Sequence, residues 1–116
     1  MQYMILIYGE EGKLASMTDA ERGAMYGAYG AYNAALEKAG ILRGLNWLQG
    51  SATATSLSVR DGETTVHDGP FVQTKEALGG YYVIEVDDLD TAINWAKQCP
   101  GAAYGDVEIR PVIGTV

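Results

Sequence analysis

The chain has 116 residues, 47% of them hydrophobic and 20% charged, with one cysteine, one histidine and a formal net charge of −7. That size suits one domain over residues 1–116 with a modest core, so a subunit interface is the expected place for a second core and a ligand site. Lys and Arg occur singly and form no basic stripe, which excludes nucleic acid as a partner, and no apolar run is long enough to span a bilayer.

The opening residues lack the charged segment of a secretory signal, and the lone Cys99 cannot form an internal disulfide, so a cytoplasmic protein is expected. One His and one Cys cannot supply a common zinc set, and no Gly-Lys-Ser or Gly-Lys-Thr phosphate loop occurs. Neither a metal nor a cofactor is expected.

Residues 2–8 are apolar on both alternating faces, with Tyr3, Ile5 and Ile7 on one and Met4, Leu6 and Tyr8 on the other, the pattern of a strand covered on both sides. Thr18-Asp19-Ala20-Glu21 reads as a capping box opening a helix to about Ala39, closed by Gly40 in a left-handed conformation. Its small face, Ala20, Ala24, Ala28, Ala31, Ala35 and Ala39, with Tyr32 and Leu36 adjoining, has the spacing of a buried stripe. Gly23, Gly27 and Gly30 each cost about 1 kcal/mol relative to Ala, which either reflects close packing there or is tolerated because packing elsewhere carries the helix.

Residues 41–50 read as an irregular apolar connection or a short strand. Strands are expected at 52–60 and 63–67, joined at the hairpin signal Asp61-Gly62. Gly79 to Val86 is again apolar on both faces. Asp87-Asp88 caps a second helix whose Leu89, Ala92, Ile93, Ala96 and Cys99 share a face, and a last strand over 106–113 is placed at an edge by Pro111. The order β-α-β-β-α-β, with an extra piece after the first helix, predicts an α+β, ferredoxin-like antiparallel sheet with both helices on one face. The other face, apolar on the first and fourth strands, then needs the sheet of a second subunit, so a homodimer is expected.

The chemistry-bearing stretch is His67-Asp68-Gly69-Pro70-Phe71, followed by Lys75-Glu76. A carboxylate in a partly dry cleft can work as acid or base, which makes Asp68 a catalytic candidate; the alternative is a turn aspartate that bonds the amides of Gly69 or Phe71. His67 can shuttle a proton, although adjacent strand residues point to opposite faces. Lys75 offers a cation and Glu76 a second carboxylate, against a solvated loop pair. Arg110 shares a side with Glu108 and could grip a carboxylate, against a cross-strand or intersubunit ion pair. Tyr81 could donate its phenol to a substrate oxygen, whereas Tyr26, Tyr29, Tyr32, Trp47 and Trp95 are read as packing.

Through Tyr3-Met4-Ile5-Leu6-Ile7-Tyr8, Asp68-Gly69-Pro70-Phe71, Thr74-Lys75-Glu76, Leu78-Gly79-Gly80-Tyr81, Asp88-Leu89-Asp90 and Val107-Glu108-Ile109-Arg110-Pro111-Val112, the chain resembles the YCII-related family, and more narrowly its Asp-Gly-Pro-Phe branch. The resemblance implies a dimeric α/β barrel, two ferredoxin-like sheets paired face to face. It also implies a wider group with a His-Asp pair at the dimer cleft, one relative of which removes chloride from a muconate-type product. Some members are encoded beside extracytoplasmic-function sigma factors. Here the first helix holds no histidine, and Gln73 stands where the branch commonly has Glu.

The resulting expectation is a metal-independent isomerase or lyase type of enzyme, with Asp68 and His67 as catalytic residues and Lys75, Arg110, Tyr81 and Glu76 around a small anionic, conjugated ligand. The alternative is a non-catalytic ligand-binding or regulatory module working with a sigma factor or another protein partner. In a third reading the Asp-Gly-Pro-Phe corner is purely structural.

Overall fold

The computed structural model describes residues 1–114. Its elements in order are β1 (Gln2–Glu10), the one-turn α1 (Lys13–Ser16), α2 (Asp19–Lys38), β2 (Leu42–Trp47), β3 (Thr55–Arg60), β4 (Glu63–Asp68), β5 (Glu76–Glu85), α3 (Leu89–Ala96), the one-turn α4 (Gly101–Tyr104) and β6 (Asp106–Pro111). Four strands form an antiparallel sheet in the order β2-β5-β1-β6, the ferredoxin-like arrangement, and β3 and β4 make a separate hairpin. The stretch after the first helix is thus a regular sheet strand, β2, bulged between Leu42 and Gly44. Pro111 ends β6, which pairs only with β1, so its missing N–H costs no ladder bond.

Pairing register decides which side chains share a face. Tyr3 lies opposite Ile84 and Ile5 opposite Tyr82, and all four are buried against the helices. Met4 opposite Val83 and Leu6 opposite Tyr81 point to the other side, where they are only half-buried. The central strands β1 and β5 are therefore apolar on both faces, as their patterns predict, but the chain's own helices bury one face, and on the other β6 sets Arg110 and Glu108 beside Met4 and Leu6.

The ends of α2 follow local chemistry. The Glu21 N–H donates to Thr18 Oγ1 at 3.1 Å and the Thr18 N–H donates to Glu21 Oε1 at 2.9 Å, completing the capping box. Gly40, at φ 73°, closes the far end. The inward face of α2 keeps Tyr32 and Leu36 from the expected stripe but not most of its alanines. Tyr32 and Leu36 are buried with Met25 and Tyr29 half-buried beside them, whereas Ala20, Ala24, Ala28, Ala31 and Ala39 are exposed. Burying a Leu side chain is worth about 1.5–3 kcal/mol and a methyl far less, so the large side chains choose the face. Within this chain nothing lies within 4 Å of a Cβ built on Gly23, Gly27 or Gly30.

Asp88 caps α3, accepting from the Thr91 N–H at 2.8 Å. Ala92, Ala96 and Cys99 pack inward as expected, but Leu89, in the first turn, is 48% exposed. Tyr32 joins the two helices by donating its O–H to the Trp95 carbonyl at 2.8 Å. The hairpin turns at Asp61 (φ 51°) and Gly62 (φ 79°), as the Asp-Gly signal predicts, and projects with Leu57, Val59 and Val66 all exposed. No described helix is long and apolar enough to cross a membrane.

Candidate functional site

Helix-facing positions along β5 run Ile84, Tyr82, Gly80, and at Gly80 the side chain vanishes. Opposite it stand Ile7 on β1 and Trp47 on β2. The first half of α2 therefore lies over unfilled space, and a cleft of about 860 Å³ opens between helix and sheet. Met25, Tyr26, Tyr29, Asn33, Trp47 and Tyr82 give it an aromatic wall with a few polar groups, the usual makeup of a small-molecule site. The rings of Tyr26 and Trp47 meet at 5.6 Å. At the edge of the cleft Lys13 Nζ donates to the Tyr104 carbonyl at 2.7 Å, and Arg22 donates to the carbonyls of Leu14 and Met17 at 3.0 and 2.6 Å.

The polar groups beside the aromatic wall are phenols and the Asn33 amide, and Glu10, Glu11, Lys13, Asn46 and Gln49 also belong to the lining. Burial pushes the Tyr29 phenol up to about 12, with the Cys99 thiol nearby adding to the effect. Burial also raises Tyr82, whose O–H donates to Asn33 Oδ1. At neutral pH these phenols stay protonated, so they act as hydrogen-bond partners.

A second hollow, of about 1060 Å³, is lined by Asp68, Gln73, Thr74 and Glu76. Asp68 ends β4 opposite Thr55, and Gly69 turns the chain at φ 113°. The corner is anchored by the Gly69 N–H donating to the Ala54 carbonyl at 2.7 Å and by Ser56 Oγ donating to the Gly69 carbonyl at 2.8 Å. Its rigidity thus comes from the backbone of Gly69. Among the described residues none donates to the Asp68 carboxylate, which stands exposed at the rim. The hollow and the cleft share Tyr8, Leu48, Gln49, Gly50, Ala77 and Leu78 as a common wall. Glu11 steadies that wall by accepting from the Ser51 N–H at 2.6 Å and from its hydroxyl, contacts that hold the carboxyl below its usual range.

The six residues expected at a site do not meet at one point. Asp68 and Glu76 line the same hollow. His67, exposed and opposite Ser56, points to the other side of its strand. Lys75 pairs with Glu10 at 3.1 Å. The Glu76 carboxyl is raised by its hydrogen bond and charge repulsion with Asp106. Arg110 donates to Glu108 at 2.8 Å within one strand, rather than across strands. It lies, with Tyr81, on the sheet face away from the helices, where Asn46 Nδ2 donates to the Tyr81 hydroxyl at 2.7 Å.

Tyr26, Tyr29 and Trp47, read as packing, instead form cleft wall, and Asn33 drew no notice in the sequence. The available signal was Gly79-Gly80 inside an apolar strand, which marks a missing side chain.

Comparisons with known proteins agree with this architecture. A solved structure of 5-chloro-2-hydroxyhydroquinone dehydrochlorinase (TftG) from Burkholderia phenoliruptrix, in complex with 2,5-dihydroxybenzoquinone, superposes with a TM-score of 0.56 over 97% of this chain and 93% of that one, at 15% identity. An uncharacterised protein of Rhizobium meliloti (strain 1021) is 32% identical over 114 residues, 97% of this chain and 92% of its own. The YCII-related domain matches residues 1–115, and the chain belongs to the YCII-related family.

Proposed function

We propose that this chain is an enzyme of the isomerase or lyase type acting on a small conjugated ring, within the Asp-Gly-Pro-Phe branch of its family. The ring lies where the aromatic cleft meets the hollow along the residues they share, within reach of Asp68, the acid or base. The observation that carries this reading is that the two spaces share residues: a mainly apolar cleft with ample room for a ring lies beside a hollow whose lining bears a carboxylate with no partner among the described residues. A free carboxylate next to a partly dry space can trade protons with a bound ligand. The dehydrochlorinase neighbour, which holds a dihydroxybenzoquinone, supports a ring of that kind.

In this reading Glu76 lines the hollow with Asp68, Lys75, next to it in the chain and paired with Glu10, draws in an anionic ligand, and His67 exchanges protons with water. Tyr81 and Arg110 enter through a second copy whose sheet covers the half-buried face carrying Met4, Leu6 and Val83. The working form is thus a cytoplasmic homodimer whose chemistry its own side chains carry.

The test is isothermal titration of the protein with 2,5-dihydroxybenzoquinone and related ring compounds, together with sedimentation to weigh the particle. Binding in the micromolar range that Trp47→Ala weakens at least fivefold is expected. No binding by any such ring would end the proposal. If a ring that binds is also turned over, Asp68→Asn should abolish turnover while leaving binding in place. Binding by both forms without turnover would identify a ligand-binding module instead.

A further inference from the structure

We propose that Asn33, held by Tyr82, is the specificity-determining group of the cleft: its amide N–H reads a carbonyl or enolate oxygen on the bound ring. This rests on the cleft reading above and names the ligand chemistry within it.

The geometry begins at Tyr82. It is 4% exposed, and its ring meets Tyr32 edge-on at 5.2 Å and 88°, so its position is fixed by packing from both elements. Its O–H needs an acceptor once buried, and it donates to Asn33 Oδ1. An amide turned the other way would present N–H groups to the phenol and leave the phenol proton without an acceptor. The Asn33 carbonyl end is therefore committed, and the amide can offer only its donor end elsewhere.

That donor end belongs to the cleft. Asn33 is half-buried on the sheet-facing side of α2 and lines the cavity, and its Nδ2 donates to no described residue. Met25, Tyr26, Tyr29 and Trp47 line the same cavity, and among the described residues none accepts from the Asn33 amide, so its donor is open to a ligand oxygen. A partly dry donor aimed at a ligand favours an oxygen acceptor and disfavours a ring that carries only N–H groups, because that ring would leave two donors facing each other. The amide is neutral, so it recognises acceptor strength in a ring carbonyl or enolate without requiring a full charge.

The experiment measures two planar probes by calorimetry: 2,5-dihydroxybenzoquinone, which presents oxygen acceptors, and benzamidine, which presents only donors. Wild-type protein is expected to bind the quinone at least tenfold more tightly than benzamidine. Asn33→Asp turns an acceptor toward the cleft and is expected to weaken the quinone at least tenfold and to strengthen benzamidine. Tyr82→Phe keeps the ring and removes the latch, and is expected to lower the preference at least threefold even if Asn33→Asp folds poorly. Wild-type binding of the quinone with a preference unchanged within twofold in Tyr82→Phe, and in Asn33→Asp where it folds, would overturn this inference and leave the cleft reading intact. Failure of the wild type to bind the quinone or any related ring compound would overturn both.

Discussion

Replacing Gly80 by alanine probes both the fold and the cleft. Gly80 is buried and paired on both sides, to Ile7 and to Trp47. A Cβ built on it falls 2.8 Å from the Asn46 carbonyl oxygen and 3.6 Å from the Trp47 Cα. Both atoms are backbone of the neighbouring strand, so no rotamer change relieves the contact, and β2 must move outward by several tenths of an ångström. Overpacking of this kind costs about 1–3 kcal/mol. For a domain this size, 2 kcal/mol corresponds to a fall of about 8 °C in Tm.

Gly79→Ala is the matched control, since its Cβ would come no nearer than 3.9 Å to the Ile7 carbonyl. Urea unfolding of both variants, followed by circular dichroism and by tryptophan emission, is the assay. Gly80→Ala should lose at least 1 kcal/mol more than Gly79→Ala, and its native emission should shift because Trp47 moves with β2. Equal stability of the two variants with unchanged emission would refute the argument that the missing side chain at Gly80 sets the seat of Trp47 and the depth of the cleft.

Thr18→Ala removes one half of the capping box and should cost about 1 kcal/mol in urea unfolding, most of it restored by Thr18→Ser. The Glu76 carboxyl is raised in the folded chain, chiefly by its hydrogen bond to Asp106. Its contribution to stability is therefore fully present below the unfolded pKa and is lost as pH rises through the raised folded value. Asp106→Asn should flatten that part of the profile of urea midpoint against pH. The Asp88 carboxyl is lowered by the Thr91 hydroxyl and N–H, so its contribution runs the other way, present above the unfolded value and lost as pH falls through the folded one. Asp88→Asn should remove that acid-side loss in the same titration. Cys99 is buried, and burial raises its thiol, so an aromatic disulfide reagent at pH 8 should label it only at the rate of unfolding. Rapid labelling of the native chain would contradict its place in the core.

Much of the frame was legible in the chain itself because it rests on short-range chemistry. The Thr18–Glu21 box, the Asp88 cap, Gly40 at the end of α2 and the Asp61-Gly62 turn each involve residues a few positions apart, and each forms as its local pattern predicts. The doubly apolar β1 and β5 announced a sheet with two faces to cover, and Pro111 announced an edge.

What only the tertiary structure decided are relations between distant residues. Helix α2 carries two stripes a small rotation apart, one of alanines and one of Met25, Tyr29, Tyr32 and Leu36, and helical periodicity alone does not choose between them. The sheet chooses, because the larger side chains bury more apolar area against Tyr3, Ile5, Tyr82 and Ile84. The cleft likewise exists because Gly80 on β5 falls beneath that helix, and Asn33 gains a role because Tyr82, 49 positions away, reaches its carbonyl. A residue's period along the chain reports which way it can point; what it meets there depends on the strand or helix that packing brings opposite.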